Sequence, residues 1–236
     1  MILSLVKADF LKIKRKGMWL LCLIGPFGVV ALQMVNYGVR KDYLFDQMDD
    51  RWLYYILNIN SFTPLAIVLG IVILTSFMAS IEDETNAWKQ LVALPVSKRE
   101  VYLSKFTVVS CVLFLSSVLL FLFMSGYGLT LGLGADIPYL RLMEYSFLPF
   151  FAAFPVLGLQ LWVATVSKNQ AIPVTLGVVG VILAYSAPLL PDWVIWKWPA
   201  LSNDWDHSYI NALLGIGFGL VLYLLGMIDF KRRDVK

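Results

Sequence analysis

One histidine, two cysteines and 16 carboxylates are the side chains this 236-residue chain offers as ligands for a metal. The lone histidine, His207, falls in a polar stretch between apolar runs, and a catalytic metal needs several such ligands. It reads as a surface residue. Cys22 and Cys111 both fall inside apolar runs and read as free buried thiols rather than a disulfide framework. No Asp, Glu, Lys, Arg or His lies in the middle of an apolar run, where the strongest polar groups are Gln33 and Gln160. A proton- or ion-coupled pump keeps an ionisable relay at that depth, and an intramembrane protease keeps its acid, base or metal ligands there. A P-loop needs Gly-Lys followed by Ser or Thr, and the dipeptide Gly-Lys does not occur. The chain is therefore expected to hold no catalytic site, no metal and no cofactor of its own.

The remaining cluster of chemical groups suits binding. Glu82, Asp83 and Glu84 are followed by Trp88, Leu91 and Val92, an i, i+3, i+4 apolar face behind an acidic start. Pro95 stops this short helix and Ser97 is placed to cap the next. Such a helix suits a groove on another protein, or equally the membrane surface.

The elements that position these groups are membrane spans. Hydrophobic residues make up 59% of the chain and charged residues 15%, against roughly 25% in soluble proteins. Six apolar runs have the ~20-residue length that crosses a bilayer. They cover about 18–37, 62–81, 106–131, 146–166, 171–190 and 209–230, with a kink expected at Gly25-Pro26. The fold class is an all-α polytopic membrane protein in one transmembrane domain over 1–236. A soluble enzyme, a nucleic-acid-binding domain and a disordered chain are excluded.

Residues 1–16 place Leu3, Val6, Phe10 and Ile13 on one helical face with Lys7, Lys12, Lys14, Arg15 and Lys16 around them, as in a helix lying at the membrane interface. With both termini in the cytosol, 14 of the 19 Lys and Arg lie inside and five outside, while seven acids lie inside and nine outside. This sorting follows the positive-inside rule and places the chain in the cell membrane with both termini cytoplasmic. Gly215 and Gly219 form a small-x-x-x-small motif, expected to pack within the subunit rather than between subunits.

The stretch from Glu82 to Lys105 resembles the signature of ABC-2-type transporter permeases, which often reads Glu-x-Glu-x-Gly-Thr-Trp-Lys-x-Leu-Leu-x-Leu-Pro-Val-Ser-Arg. Glu82 and Glu84 match the acids, while Trp88-Lys89, Leu91 and Leu94-Pro95-Val96-Ser97 match the core. Lys98-Arg99 and Lys105 supply the basic positions, and Asn86-Ala87 departs from the usual Gly-Thr. The resemblance implies a transport subunit paired with a second permease, as homodimer or heterodimer. It also implies two cytosolic ATPase subunits that carry the ATP and Mg. Glu82, Glu84, Trp88, Leu91 and Val92 would form the cytosolic coupling helix between spans two and three, seated on the ATPase.

The tryptophan-rich segment 188–206 would fold as a short outer structure, with Trp193, Trp196, Trp198 and Trp205 forming an outer lip that meets substrate. Length, Leu-Pro-Val-Ser-Lys-Arg and Trp198-Pro199-Ala200-Leu201-Ser202 resemble the branch that gives lantibiotic immunity or bacitracin resistance. That implies export of an amphipathic antimicrobial peptide or a similar membrane-bound molecule. Export of another substrate, such as an ion or a lipid-linked molecule, and a non-transporting sensor or scaffold remain alternatives.

Overall fold

The computed structural model describes residues 2–84, 97–134 and 136–232, and these are helical with no strand among them. The helices are α1 (Ile2–Arg15), α2 (Trp19–Phe45), α3 (Arg51–Asn60), α4 (Thr63–Glu84) and α5 (Lys98–Leu131). They continue as α6 (Tyr139–Ala152), α7 (Phe154–Val166), α8 (Ala171–Tyr185) and α9 (Ser208–Arg232). Single 3₁₀ turns occur at Ala187–Leu189 and Trp198–Ala200. Five segments are long and apolar enough to cross a membrane: α2, α3 with α4, α5, α6 with α7, and α9. The fifth expected span is the 15-residue α8, about 22 Å long at 1.5 Å per residue and shorter than a ~30 Å hydrocarbon core. Its sequence stays apolar to Leu190, but Pro188 diverts the chain into a 3₁₀ turn.

Three further boundaries differ from expectation. Pro26 does not interrupt α2, and the non-helical residue of that helix is Arg40, at φ −130° and ψ 31°. The chain before span two, which lies outside the expected spans, holds α3. Asp50 caps it by accepting from the Leu53 N–H at 2.9 Å, and Trp52, Tyr55, Ile56 and Ile59 form its buried i, i+3, i+4, i+7 stripe. Span four divides at Ala153 into α6 and α7, with Pro155 in the first turn of α7, where a missing N–H costs nothing. Of the two cysteines, both free, only Cys22 is buried; Cys111 lies on an exposed face of α5.

One hydrophobic cluster centres on Ile71, Val108, Val112 and Leu157. A second joins Val30, Tyr55, Ile59, Met124 and Leu142. Between helices in lipid, attraction comes from close packing and hydrogen bonds rather than from escape from water. The α7–α9 contact shows how close the packing is. A Cβ at Gly219 would fall 2.5 Å from the Phe154 Cβ, and one at Gly215 would fall 2.6 Å from the Ala152 Cα. The two glycines thus seat α9 on the break between α6 and α7, inside one subunit as the motif suggested. The polar groups at depth also hold helices together. Gln33 donates to the Asn58 carbonyl at 3.0 Å and Gln160 donates to the Pro173 carbonyl at 2.6 Å.

Candidate functional site

α5 begins with a capping box, in which Ser97 Oγ accepts from the Glu100 N–H at 3.2 Å and the Glu100 carboxylate accepts from the Ser97 N–H at 3.0 Å. Both orphan donors at the helix start are thereby satisfied. Near this end α1 docks on α5, where buried Asp9 accepts from Ser104 Oγ at 2.7 Å and from Lys12 Nζ at 3.2 Å. The last turn of α9 joins them through Lys98 Nζ, which donates to the Lys231 carbonyl at 3.5 Å. Trp162 Nε1 also donates to Asp229 at 2.9 Å. The N-terminal helix, the end of α9 and the start of α5 therefore share one end of the bundle. The backbone of Glu82 and Glu84 closes α4, while Trp88, Leu91 and Val92 lie outside the described residues.

At the opposite end, residues 188–206 form a hydrogen-bonded cap. Lys197, buried, pairs with Asp192 at 2.6 Å, and the second Asp192 oxygen accepts from the Asp204 N–H at 3.0 Å. The Lys197 ammonium, reinforced by that N–H, holds the Asp192 carboxyl below its usual range. Trp198 Nε1 donates to the Asp192 carbonyl at 2.6 Å, and Asn211 donates to the Trp198 carbonyl at 3.2 Å. Asn60, just before α4, donates to the Ala200 carbonyl at 2.9 Å. Arg141 pairs with Asp50 at 2.7 Å, tying α6 to the start of α3, and Ser208 donates to Glu144.

The four tryptophans of the expected lip separate into two kinds. Trp198 is buried, edge-on to Phe218 with ring centroids 5.6 Å apart. Trp196 is half-buried, and a Cβ at Gly180 would lie 2.9 Å from its Cδ1, so it packs onto α8. Trp193 and Trp205 project outward, 78% and 50% exposed.

Between the two ends, α2, α4 and α5 line a half-open cavity of about 460 Å³. Gly25 and Gly28 line the α2 wall, where added Cβ atoms would meet nothing within 4 Å; Leu69, Gly70 and Ile73 line the α4 wall. The floor hydroxyls are satisfied by the backbone: Ser116 Oγ donates to the Cys22 carbonyl at 2.8 Å and Ser117 Oγ to the Leu113 carbonyl at 3.3 Å. No charged side chain lines the cavity. Ile24, Leu32 and Leu69 on its walls are exposed, so it opens sideways toward lipid.

Sequence reasoning did not foresee this cavity, although Leu21, Gly25, Gly28 and Leu32 recur at i, i+4, i+7 and i+11 with the small residues in the middle. The Asp192–Lys197 pair was also missed, since the two residues carry no motif.

A family described as ABC-2 family transporter protein matches residues 5–184. No curated protein and no solved structure matches the chain. The match covers three quarters of the sequence and takes in the capping box, the cavity walls and both helices of span four. With an all-helical, multi-span bundle that carries its uncharged cavity at membrane depth, the chain belongs to the ABC-2 transporter family and is a transport subunit of the membrane.

Proposed function

We propose that the protein is the permease subunit of an ATP-driven exporter that clears an amphipathic molecule, of the class of a lantibiotic-like antimicrobial peptide, from the bilayer to the outside. The observation that carries this reading is the uncharged, laterally open cavity between α2 and α4. A small hydrated ion would lose its water against such walls with nothing to replace it. An apolar side chain or acyl segment already dissolved in the bilayer enters at no such cost. Trp193 and Trp205, exposed on the outer cap, supply amphipathic surfaces at the level where the molecule leaves. ATP hydrolysis belongs to two cytosolic ATPase subunits, engaged through the segment from Glu82 to Val92, and a second permease copy or relative completes the pair.

The test fills the cavity. Gly28→Leu adds a side chain where the backbone has open space, so the helix is expected to fold. Cells expressing the permease with its co-purifying ATPase should tolerate more of a membrane-active peptide. Gly28→Leu should abolish that gain while assembly and basal ATP hydrolysis persist. Unchanged sensitivity across a broad peptide panel, with ion efflux measurable in vesicles, overturns the reading in favour of an ion exporter.

A further inference from the structure

The corner where α1 turns into α2 holds an open surface groove, about 590 Å³, that the transport reading leaves unused. It is lined by Lys7, Phe10, Leu11, Lys14 and Trp19. Four of these, at positions i, i+3, i+4 and i+7, share one face of α1. Leu3 continues that face and is 72% exposed, and Leu11 is 58% exposed. Asp9 and Ile13 are buried against the bundle, and Phe10 packs against the same cluster from the edge of the exposed face. Gly17, at φ +70°, makes the turn that brings Trp19 back over α1. The Trp19 and Phe10 rings then stack at 6.0 Å with their planes 16° apart.

The charge distribution on α1 is one-sided. Asp9 is its only carboxylate, and it is withdrawn into the contact with Ser104 and Lys12. Lys7 and Lys14 are exposed, and neither forms an ion pair among the described residues. The groove surface is almost wholly apolar, made of two stacked rings, a leucine and the carbon stems of Lys7 and Lys14, two exposed lysines two turns apart. It stands at the start of the first membrane span, where lipid headgroups lie.

We propose that this corner is a binding site for one anionic phospholipid, its phosphate held by Lys7 and Lys14 and its acyl chain laid along Phe10, Leu11 and Trp19. A free phosphate or nucleotide has no use for the apolar wall. A zwitterionic lipid carries a cation that the two lysines oppose. A cationic peptide is repelled outright. The proposal is independent of what the exporter carries and of which leaflet holds α1.

Each lysine beside an anionic lipid surface is worth roughly fivefold in affinity, so the pair is worth about 25-fold. The full-length protein in detergent, supplied with equal phosphatidylglycerol and phosphatidylcholine, is examined by native mass spectrometry for retained lipid. The wild type should keep one phosphatidylglycerol at least tenfold more readily than phosphatidylcholine. Lys7→Gln with Lys14→Gln should lose that preference, Lys7→Arg with Lys14→Arg should keep it, and Leu11→Gln should weaken retention. Lys168→Gln, an exposed lysine elsewhere, should match the wild type. Equal retention of the two lipids by the wild type overturns the proposal even if a variant misfolds. So does an equal loss of preference in Lys168→Gln, or displacement of the lipid by millimolar inorganic phosphate.

Discussion

Asp192 organises the outer cap through three groups at once: Lys197 and the Asp204 N–H on its carboxylate, and Trp198 Nε1 on its carbonyl. Its carboxyl ionises below the ordinary value of 3.8, so the stabilisation is complete above that value and is lost as pH falls through the lower, folded one. Thermal unfolding in detergent should show a wild-type cap that is steady from neutral pH down to about pH 4. Asp192→Asn leaves the Lys197 ammonium buried without its counter-charge. The expected loss is about 3 kcal/mol at neutral pH, with the acid-dependent part gone. A variant as stable as the wild type would mean that the pair does not hold the cap. The buried Trp198 ring belongs to this framework, whereas Trp193 and Trp205 are exposed beside it.

At the scale of elements, α9 illustrates how one helix uses two kinds of glycine. Gly219 meets Phe154 across the break between α6 and α7, whereas a Cβ at Gly217 meets nothing within 4 Å. Gly219→Leu should force the helices apart and cost about 1–3 kcal/mol or more, and Gly217→Leu should leave stability unchanged. The yield of monodisperse protein and its unfolding temperature in detergent check the contrast. Similar losses in both would indicate a general effect of helix bulk.

The connection between α4 and α5 carries the other element-scale expectation. A buried interface tryptophan is often worth at least ~2 kcal/mol. Trp88→Ala should therefore weaken co-purification of the ATPase about thirtyfold while membrane insertion stays normal. Undiminished co-purification would place this segment on the lipid surface instead.

For the whole molecule, the contacts of α5 with α1 and with the last turn of α9 put α1 and the end of α9 on one side of the bundle. The sorting of 14 basic residues against five is the ground for proposing that this side is cytosolic. A reporter active only outside the membrane should light up when fused near Asp49 or Asp204 and stay dark near Asn169 or Lys236. Activity at Lys236 would overturn the orientation, and with it the coupling role of the segment from Glu82 to Val92.

The apolar runs, the Ser97 cap and the Gly215-x-x-x-Gly219 contact were legible in the sequence because each rests on local composition or on spacing along one helix. The helix over 51–60 was missed, although Asp50 and the Trp52, Tyr55, Ile56, Ile59 stripe carry its signal. What only the tertiary structure decided depends on groups far apart in the chain. The cavity is lined jointly by α2, α4 and α5, and no single helix records that arrangement. The separation of Trp198 from Trp193 is set by Phe218 and Asn211, which approach from α9. Asp9 looks like a solvated charge on an amphipathic helix until Ser104, 95 residues on, meets it. In a bilayer any long apolar run forms a helix, because the backbone must satisfy its own hydrogen bonds. Which faces then meet is settled by shape and by a few polar ties, and those are properties of the assembled bundle.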